Sequence, residues 1–217
     1  MKNVLVSLML FCMALPWVAS AQEPEKYQAG THYQVISIPM RTADPEKIEV
    51  NEVFWYGCSH CFEFETIIEP WAKNLASDVD FERTPAIWQP KMEAHARAYY
   101  TAKQLNVLES MHSIIFKTMH VDKHPLENED QIASLFAAHG VDDAAFRKAY
   151  NSFSVQSQTR QGDSRVRGYG VTGTPEIIVN GKYRISARET GGQQGMLDVA
   201  NFLIEKERNA KALEKNK

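Results

Sequence analysis

Cys58 and Cys61, spaced C-x-x-C, are the side chains of this 217-residue chain best suited to covalent chemistry. Such a pair can staple a fold, hold a metal or exchange disulfides with another protein. As a staple it is weak: closing so short a loop stabilises by about 2 kcal/mol in the chain-entropy model, against ~3 for a fifteen-residue loop. A chain of this length buries a core without such help. Structural zinc wants four ligands, and no second C-x-x-C or matching Cys/His pair exists. His60 lies inside the motif, so a copper- or zinc-binding carrier built on Cys58, His60 and Cys61 remains a rival reading. His120 and His124 have ligand spacing without further ligands, and are expected to be solvated polar residues near a helix end.

The elements on either side of the pair favour redox chemistry. Ile48 to Tyr56 is rich in β-branched and aromatic residues and reads as a strand, which Gly57 breaks. From Cys58 a helix is expected, because Phe64, Ile67, Ile68, Trp71 and Leu75 recur with helical spacing. Pro70 inside that pattern should kink the helix rather than end it. Cys58 therefore stands at a helix N-terminus, where unpaired N–H groups and the helix dipole favour a thiolate. A protonated His60 would add to that effect. Cys61, one turn further in, should be more buried. The asymmetry makes Cys58 the attacked sulfur and leaving thiolate, and Cys61 its resolving partner. A stable thiolate makes the disulfide a stronger oxidant. Glu52 shares a strand face with Ile48, Val50, Phe54 and Tyr56. An acid on an apolar face needs a partner or a proton, and proton transfer with Cys61 is the functional reading.

The remaining sequence supplies a scaffold. Val35 to Ile38 and Val79 to Thr84 read as strands. Ile177 to Val179 and Lys182 to Ile185 are two more, joined by the hairpin signal Asn180-Gly181, with Pro175 at the start of the first, where it need not donate to a ladder. Between Thr84 and Gly170 the pattern is helical, with helices expected over Met92 to Leu105, around Met111, Phe136 and Phe146, and over about 155–169. Met196 to Leu203 marks a terminal amphipathic helix fading into the charged Glu205 to Lys217 tail. Methionine and aromatic stripes at helical spacing are read mainly as core.

Composition and the N-terminus narrow the class. With 44% apolar residues the chain is not disordered, and 24 Lys+Arg against 27 Asp+Glu exclude a polybasic nucleic-acid binder. Lys2, an apolar run from Val4 to Val18 and Ala19-Ser20-Ala21 read as a secretory signal peptide cleaved after Ala21. Phe11 before Cys12 argues against lipid attachment there. Removing residues 1–21 leaves 196 residues, takes away Lys2 for a net charge of −4, and leaves Cys58 and Cys61 as the two cysteines. Export puts them where a disulfide persists.

Phe54-Trp-Tyr-Gly-Cys-Ser-His-Cys-Phe-Glu-Phe-Glu65, with Thr172-Gly-Thr-Pro175 and Val179-Asn-Gly-Lys-Tyr183, resembles the DsbA-type periplasmic thiol:disulfide oxidoreductases. The resemblance implies an α/β thioredoxin fold with an inserted all-helical domain: residues 22–84 and 170–217 form the thioredoxin-like domain and 85–169 the insertion. It implies a cis Thr174–Pro175 bond beside the cysteines, with Thr174 offering backbone groups to a substrate strand, and a buried acid at Glu52. It implies donation of the Cys58–Cys61 disulfide to reduced, unfolded exported proteins, and reoxidation by a quinone-linked inner-membrane partner of the DsbB type. A monomer is expected, with no cofactor, metal or nucleic acid. A reductase or isomerase on the same fold is the rival within enzymes. Ser59 stands where the family usually has proline, which bears on oxidising strength. Some members pair the buried acid with a base on the neighbouring strand, where Arg83 is the available residue.

Overall fold

The computed structural model describes residues 25–215. The expected leader, its cleavage after Ala21 and Cys12 lie outside the described residues. A five-stranded sheet of order β1-β5-β4-β2-β3 forms the frame. Strand β2 (Ile48–Phe54), paired on both sides, is buried along its whole length. β3 (Val79–Pro85) runs parallel beside it, in register from Ile48↔Val79 to Phe54↔Pro85. A parallel pair needs a long crossover, which α1 (Ser59–Lys73) supplies. β4 (Glu176–Val179) joins the other side of β2 antiparallel, and β5 (Tyr183–Ser186) follows it. β1 (Gln34–Val35) closes that edge. This first strand is shorter than the expected Val35 to Ile38. Ile36 and Met40 still donate to the carbonyls of Lys182 and Gly181, but Pro39 has no N–H with which to extend a ladder, and Ile38 is exposed.

Period-2 alternation along β2 sends Ile48 and Val50 to one face and Val53 to the other. On the first face Phe64 and Ile68 of α1 pack with Met196, Val199 and Leu203 of the terminal helix α8 (Gln193–Lys215). Pro70 lies within α1 without ending it. The second face is covered by Val166 and Tyr169 from the end of α6 (Phe153–Gly168) and by Met92 of α2 (Pro90–Gln104). Between β3 and β4 the chain is helical: α2, α3 (Leu108–His120), α4 (Glu129–Ala138), α5 (Asp143–Tyr150) and α6. Side chains of Asn128, Asp142 and Ser152 cap the last three by accepting from backbone N–H groups. The Ser152 cap sets the start of α6 at Phe153, ahead of the expected residue 155. Met111, Phe116, Phe136 and Phe146 form these helices' own core, whereas Phe153 and Trp88 stay exposed. That core continues to Phe54, Tyr56 and Cys61, which couples the helical block to the C-x-x-C pair. Among the described residues no helix is long and apolar enough to cross a membrane.

Two further segments depart from the sequence expectation. The four-residue helix α7 (Ala187–Thr190) was not anticipated. The C-terminal charges do not fade into a tail, because α8 stays helical to Lys215. Its charges find partners: buried Glu207 accepts from Asn180 Nδ2 (2.5 Å) and Lys182 Nζ (2.7 Å), and Arg208 donates to Asp78. At the hairpin, Asn180 and Gly181 both have positive φ (52° and 63°), as a tight two-residue turn requires. A Cβ on Gly181 would also stand 2.2 Å from the carbonyl oxygen of Met40. Gly181→Ala should therefore destabilise by about 2–3 kcal/mol. A fall in the urea midpoint at constant slope would show it, and an unchanged midpoint would exclude the clash.

Candidate active site

Gly57 makes the sharp passage from strand to helix. A Cβ there would lie 2.3 Å from the Trp55 ring, which packs back over the turn while Trp55 Nε1 donates to His95 Nδ1 (2.9 Å). Cys58 follows as the N-cap of α1, with extended backbone (φ −90°, ψ 117°). Its N–H donates to the Trp55 carbonyl, and its own carbonyl accepts from Phe62 N. Both cysteines are free thiols. Cys58 is half-buried and Cys61 is wholly buried. The loop before β4 comes from far along the chain and contains a cis Thr174–Pro175 bond. It sets the Thr174 carbonyl 3.3 Å from Cys58 Sγ, where it accepts from the thiol.

The two sulfurs differ sharply in acidity. Hydrogen bonding from the Cys61 sulfhydryl, opposed by partial burial, and then from the Thr174 side chain and the backbone N–H groups of Cys61 and His60, brings Cys58 down to about 5. Burial, followed by hydrogen bonding and charge from Cys58, pushes Cys61 well above the ordinary thiol range. The N-terminal amides contribute in the expected direction but rank behind the Cys61 sulfhydryl and the Thr174 side chain. The His60 ring is exposed and turned toward Glu63 Oε2 at 3.4 Å, and it is the His60 backbone N–H that serves Cys58. With the ring turned away, Cys58, His60 and Cys61 do not converge. Among the described residues no cluster of three or more His, Cys, Asp or Glu could hold a metal ion. Ser59 is exposed beside them.

Glu52 is fully buried and lies opposite Arg83 in the β2–β3 register. Arg83 Nε donates to Glu52 Oε2 at 2.8 Å, so the parallel ladder supplies the basic neighbour. The other carboxylate oxygen has no hydrogen-bond partner. Burial raises Glu52 to about 7 despite the attraction of Arg83. Its charge also contributes to the raised pKa of Cys61. Arg83 bridges onward to Glu69 (2.8 Å) and Glu65 (3.4 Å) of α1. Burial raises Glu65 to about 7 as well. His112 Nδ1 meets the Tyr56 hydroxyl at 2.8 Å, and burial lowers His112 to about 3, so it stays neutral beside these acids.

Several of these neighbours were not singled out from the sequence. Glu65 and Glu69 sit on the α1 face toward Glu52, and their spacing alone does not separate them from a solvated helix edge. His120 departs from its expectation. It is half-buried, its Nε2 is 2.7 Å from the Tyr56 carbonyl, and its ring stacks on Phe62. His124 is exposed, as expected.

Known proteins are similar to this chain over most of its length. The family described as DSBA-like thioredoxin domain matches residues 62–201. The thiol:disulfide interchange protein DsbA of Pseudomonas aeruginosa is 37% identical over 210 residues, covering 97% of this chain and 99% of its own. Its counterpart in Azotobacter vinelandii is 39% identical, over 91% and 92%. The crystal structure of Pseudomonas aeruginosa DsbA superposes with a TM-score of 0.83 at 38% identity, over 86% of this chain and 97% of that one. A DsbA oxidoreductase from Xylella fastidiosa gives 0.79 at 29%, over 84% and 98%.

Proposed function

This chain belongs to the DSBA-like thioredoxin family and is a thiol:disulfide oxidoreductase, and from that premise we propose that Cys58 and Cys61 are its exchanging pair. A substrate thiolate attacks Cys58 Sγ of the oxidised protein, the Cys58–Cys61 bond breaks, and Cys61 leaves as a thiolate that takes up a proton. A second substrate thiolate then attacks the substrate sulfur of the mixed disulfide and expels Cys58 as a thiolate. Substrate gains a disulfide and loses two protons, one taken by Cys61 and one released to solvent. Glu52 supplies the proton to Cys61, Thr174 and Pro175 present backbone to the substrate strand, and His60 and Ser59 complete the turn around the attacked sulfur. The substrates are reduced, exported proteins in the periplasm, reached through a cleaved leader. The protein works as a monomer and is reoxidised by a quinone-linked membrane partner. The metal-carrier reading is not favoured, since the His60 ring faces Glu63 rather than the sulfurs.

The observation that carries this reading is the gap between the sulfurs, with Cys58 near 5 and Cys61 well above the thiol range. At pH 7 the stabilised thiolate favours the reduced form by about 2 kcal/mol, allowing for solvent screening of a half-exposed sulfur. For a two-electron couple that is ~40 mV toward the oxidising side. The Cys58 pKa is depressed, so this advantage is complete above the ordinary value of 9, declines as pH falls below it and is gone below about 5. Titration of thiolate ultraviolet absorbance in the reduced protein should show one group ionising near pH 5. Equilibration with glutathione should show a couple more oxidising than the glutathione buffer. A Cys58 that ionises like a free thiol, with a potential like that of cytosolic reductants, would reverse the direction of transfer.

A further inference from the structure

His120, the last residue of α3, belongs to the helical block but meets the redox turn on both sides of the C-x-x-C pair. Its Nε2 lies 2.7 Å from the carbonyl oxygen of Tyr56, two residues before Cys58. Its ring lies flat on that of Phe62, the residue after Cys61, with centroids 5.0 Å apart and planes 7° from parallel. Phe116, buried in the helical core, packs against the same ring at 6.1 Å. A carbonyl only accepts, so Nε2 carries the hydrogen. The neutral ring in that tautomer and the imidazolium both have a hydrogen there, so the bond does not switch with pH. Tyr56 is 1% exposed, so little water is at hand to replace His120 as donor to its carbonyl.

We propose that His120 is a positioning residue for the exchange: by donating to the Tyr56 carbonyl it ties the turn that presents Cys58 to the helical block. The inference rests on the proposed exchange at Cys58. The turn needs such a hold. Gly57 lies inside it, and glycine leaves the backbone freer than any other residue. Cys58 N–H donates to the Trp55 carbonyl at 3.0 Å, and the Cys58 carbonyl accepts from Phe62 N at 3.1 Å. These bonds fix the shape of the turn, and contacts from outside set where it points. The cis-proline loop is a separate element, so the 3.3 Å contact between Cys58 Sγ and the Thr174 carbonyl depends on that direction. Hydrogen bonds weaken steeply when misaligned. Those around Cys58 set its acidity, so a turn released from His120 should hold a less acidic thiol.

The test is made on the full-length protein. His120→Phe keeps a ring against Phe62 and removes the donor. His120→Gln removes the ring and keeps an N–H at a similar reach. His120→Asn keeps an amide whose arm is too short for the carbonyl. In His120→Phe the Cys58 thiolate, followed by its ultraviolet absorbance in the reduced protein, should titrate about one pH unit higher than in the unsubstituted protein, the size of one lost hydrogen bond. The equilibrium with glutathione at pH 7 should shift about tenfold toward the disulfide form, because the reduced form has lost that much thiolate stabilisation. His120→Asn should repeat both changes, so the test stands even where phenylalanine prevents folding. His120→Gln should restore the native values. A lower urea midpoint with unchanged acidity and potential in the variants that lack the donor, or a shift in His120→Gln as large as in His120→Phe, overturns the positioning role and leaves the exchange standing. A Cys58 that ionises like a free cysteine in the unsubstituted protein overturns the exchange, and the positioning role with it.

Discussion

A Cys61→Ser variant should lose catalytic oxidation altogether and accumulate covalent complexes with exported proteins. The reason is the division of labour between the sulfurs. Cys58 is half-exposed at the helix N-cap with its pKa near 5, so it stays a thiolate at neutral pH and remains able to attack a substrate disulfide. That attack forms a Cys58–substrate bond and releases the other substrate sulfur as a thiolate. In the native protein buried Cys61, 0% exposed, stands beside Cys58 to attack that bond and close the internal disulfide. Serine keeps the shape but is no nucleophile toward sulfur, so the mixed disulfide persists. Cys58→Ser should form no adduct, because Cys61 is inaccessible and its pKa is far above neutrality. The readout is a ladder of high-mass species on non-reducing gels, collapsed by reductant, from cells exporting cysteine-containing proteins. No adduct in Cys61→Ser, or equal adducts in both variants, would defeat the assignment of roles.

How much of this was legible in the sequence depends on how local each cause is. The acidity of Cys58 comes mainly from its own turn, since the Cys61 sulfhydryl and the Cys61 and His60 amides all lie within three residues of it. A motif at a strand-to-helix junction exposes such a cause to reading. Glu52 was legible as an anomaly, an acid in an apolar alternation, and Arg83 as the base available to it, but the register that pairs them was not. Arg83 faces it through the β2–β3 ladder, and sequence does not fix the register of a parallel pair whose crossover is a helix. Glu65 and Glu69 face inward because Arg83 is there, so their burial is a consequence of that same register. The persistence of α8 to Lys215 was missed because apolar periodicity ends at Leu203. Ion pairs to Asp78 and Glu25, together with the buried Asn180–Glu207 contact, carry the helix onward instead. The His60 ring was given an electrostatic role by proximity along the chain, yet side-chain direction at the first turn takes it outward to Glu63.

Glu52→Gln should make the protein more stable at pH 8 and slower to react at pH 7, and the two effects together separate a functional acid from a structural one. Glu52 is fully buried, and its folded pKa of about 7 lies above the ordinary 4.5. A group raised in this way binds its proton more tightly folded than unfolded. Its contribution is therefore fully present below pH 4.5 and is lost as pH rises through about 7. That loss is about 3 kcal/mol above pH 7. Glutamine has no proton to lose, so the variant should gain up to that amount at pH 8 and match the native protein near pH 4.5. Arg83 keeps Glu65 and Glu69 as partners, so the buried guanidinium is not stranded. Some pH dependence will remain from Glu65 and Glu176, both also near 7. Chemical denaturation at three pH values measures this. The kinetic effect runs the other way. When a substrate thiolate attacks Cys58, buried Cys61 must leave as an anion in a site that strongly disfavours one. A neutral Glu52 can hand it a proton, whereas glutamine cannot. Loss of a positioned general acid predicts a slowing of roughly 10²-fold in mixed-disulfide formation at pH 7. A stability gain with an unchanged rate would leave Glu52 a buried ion-pair residue and take it out of the reaction.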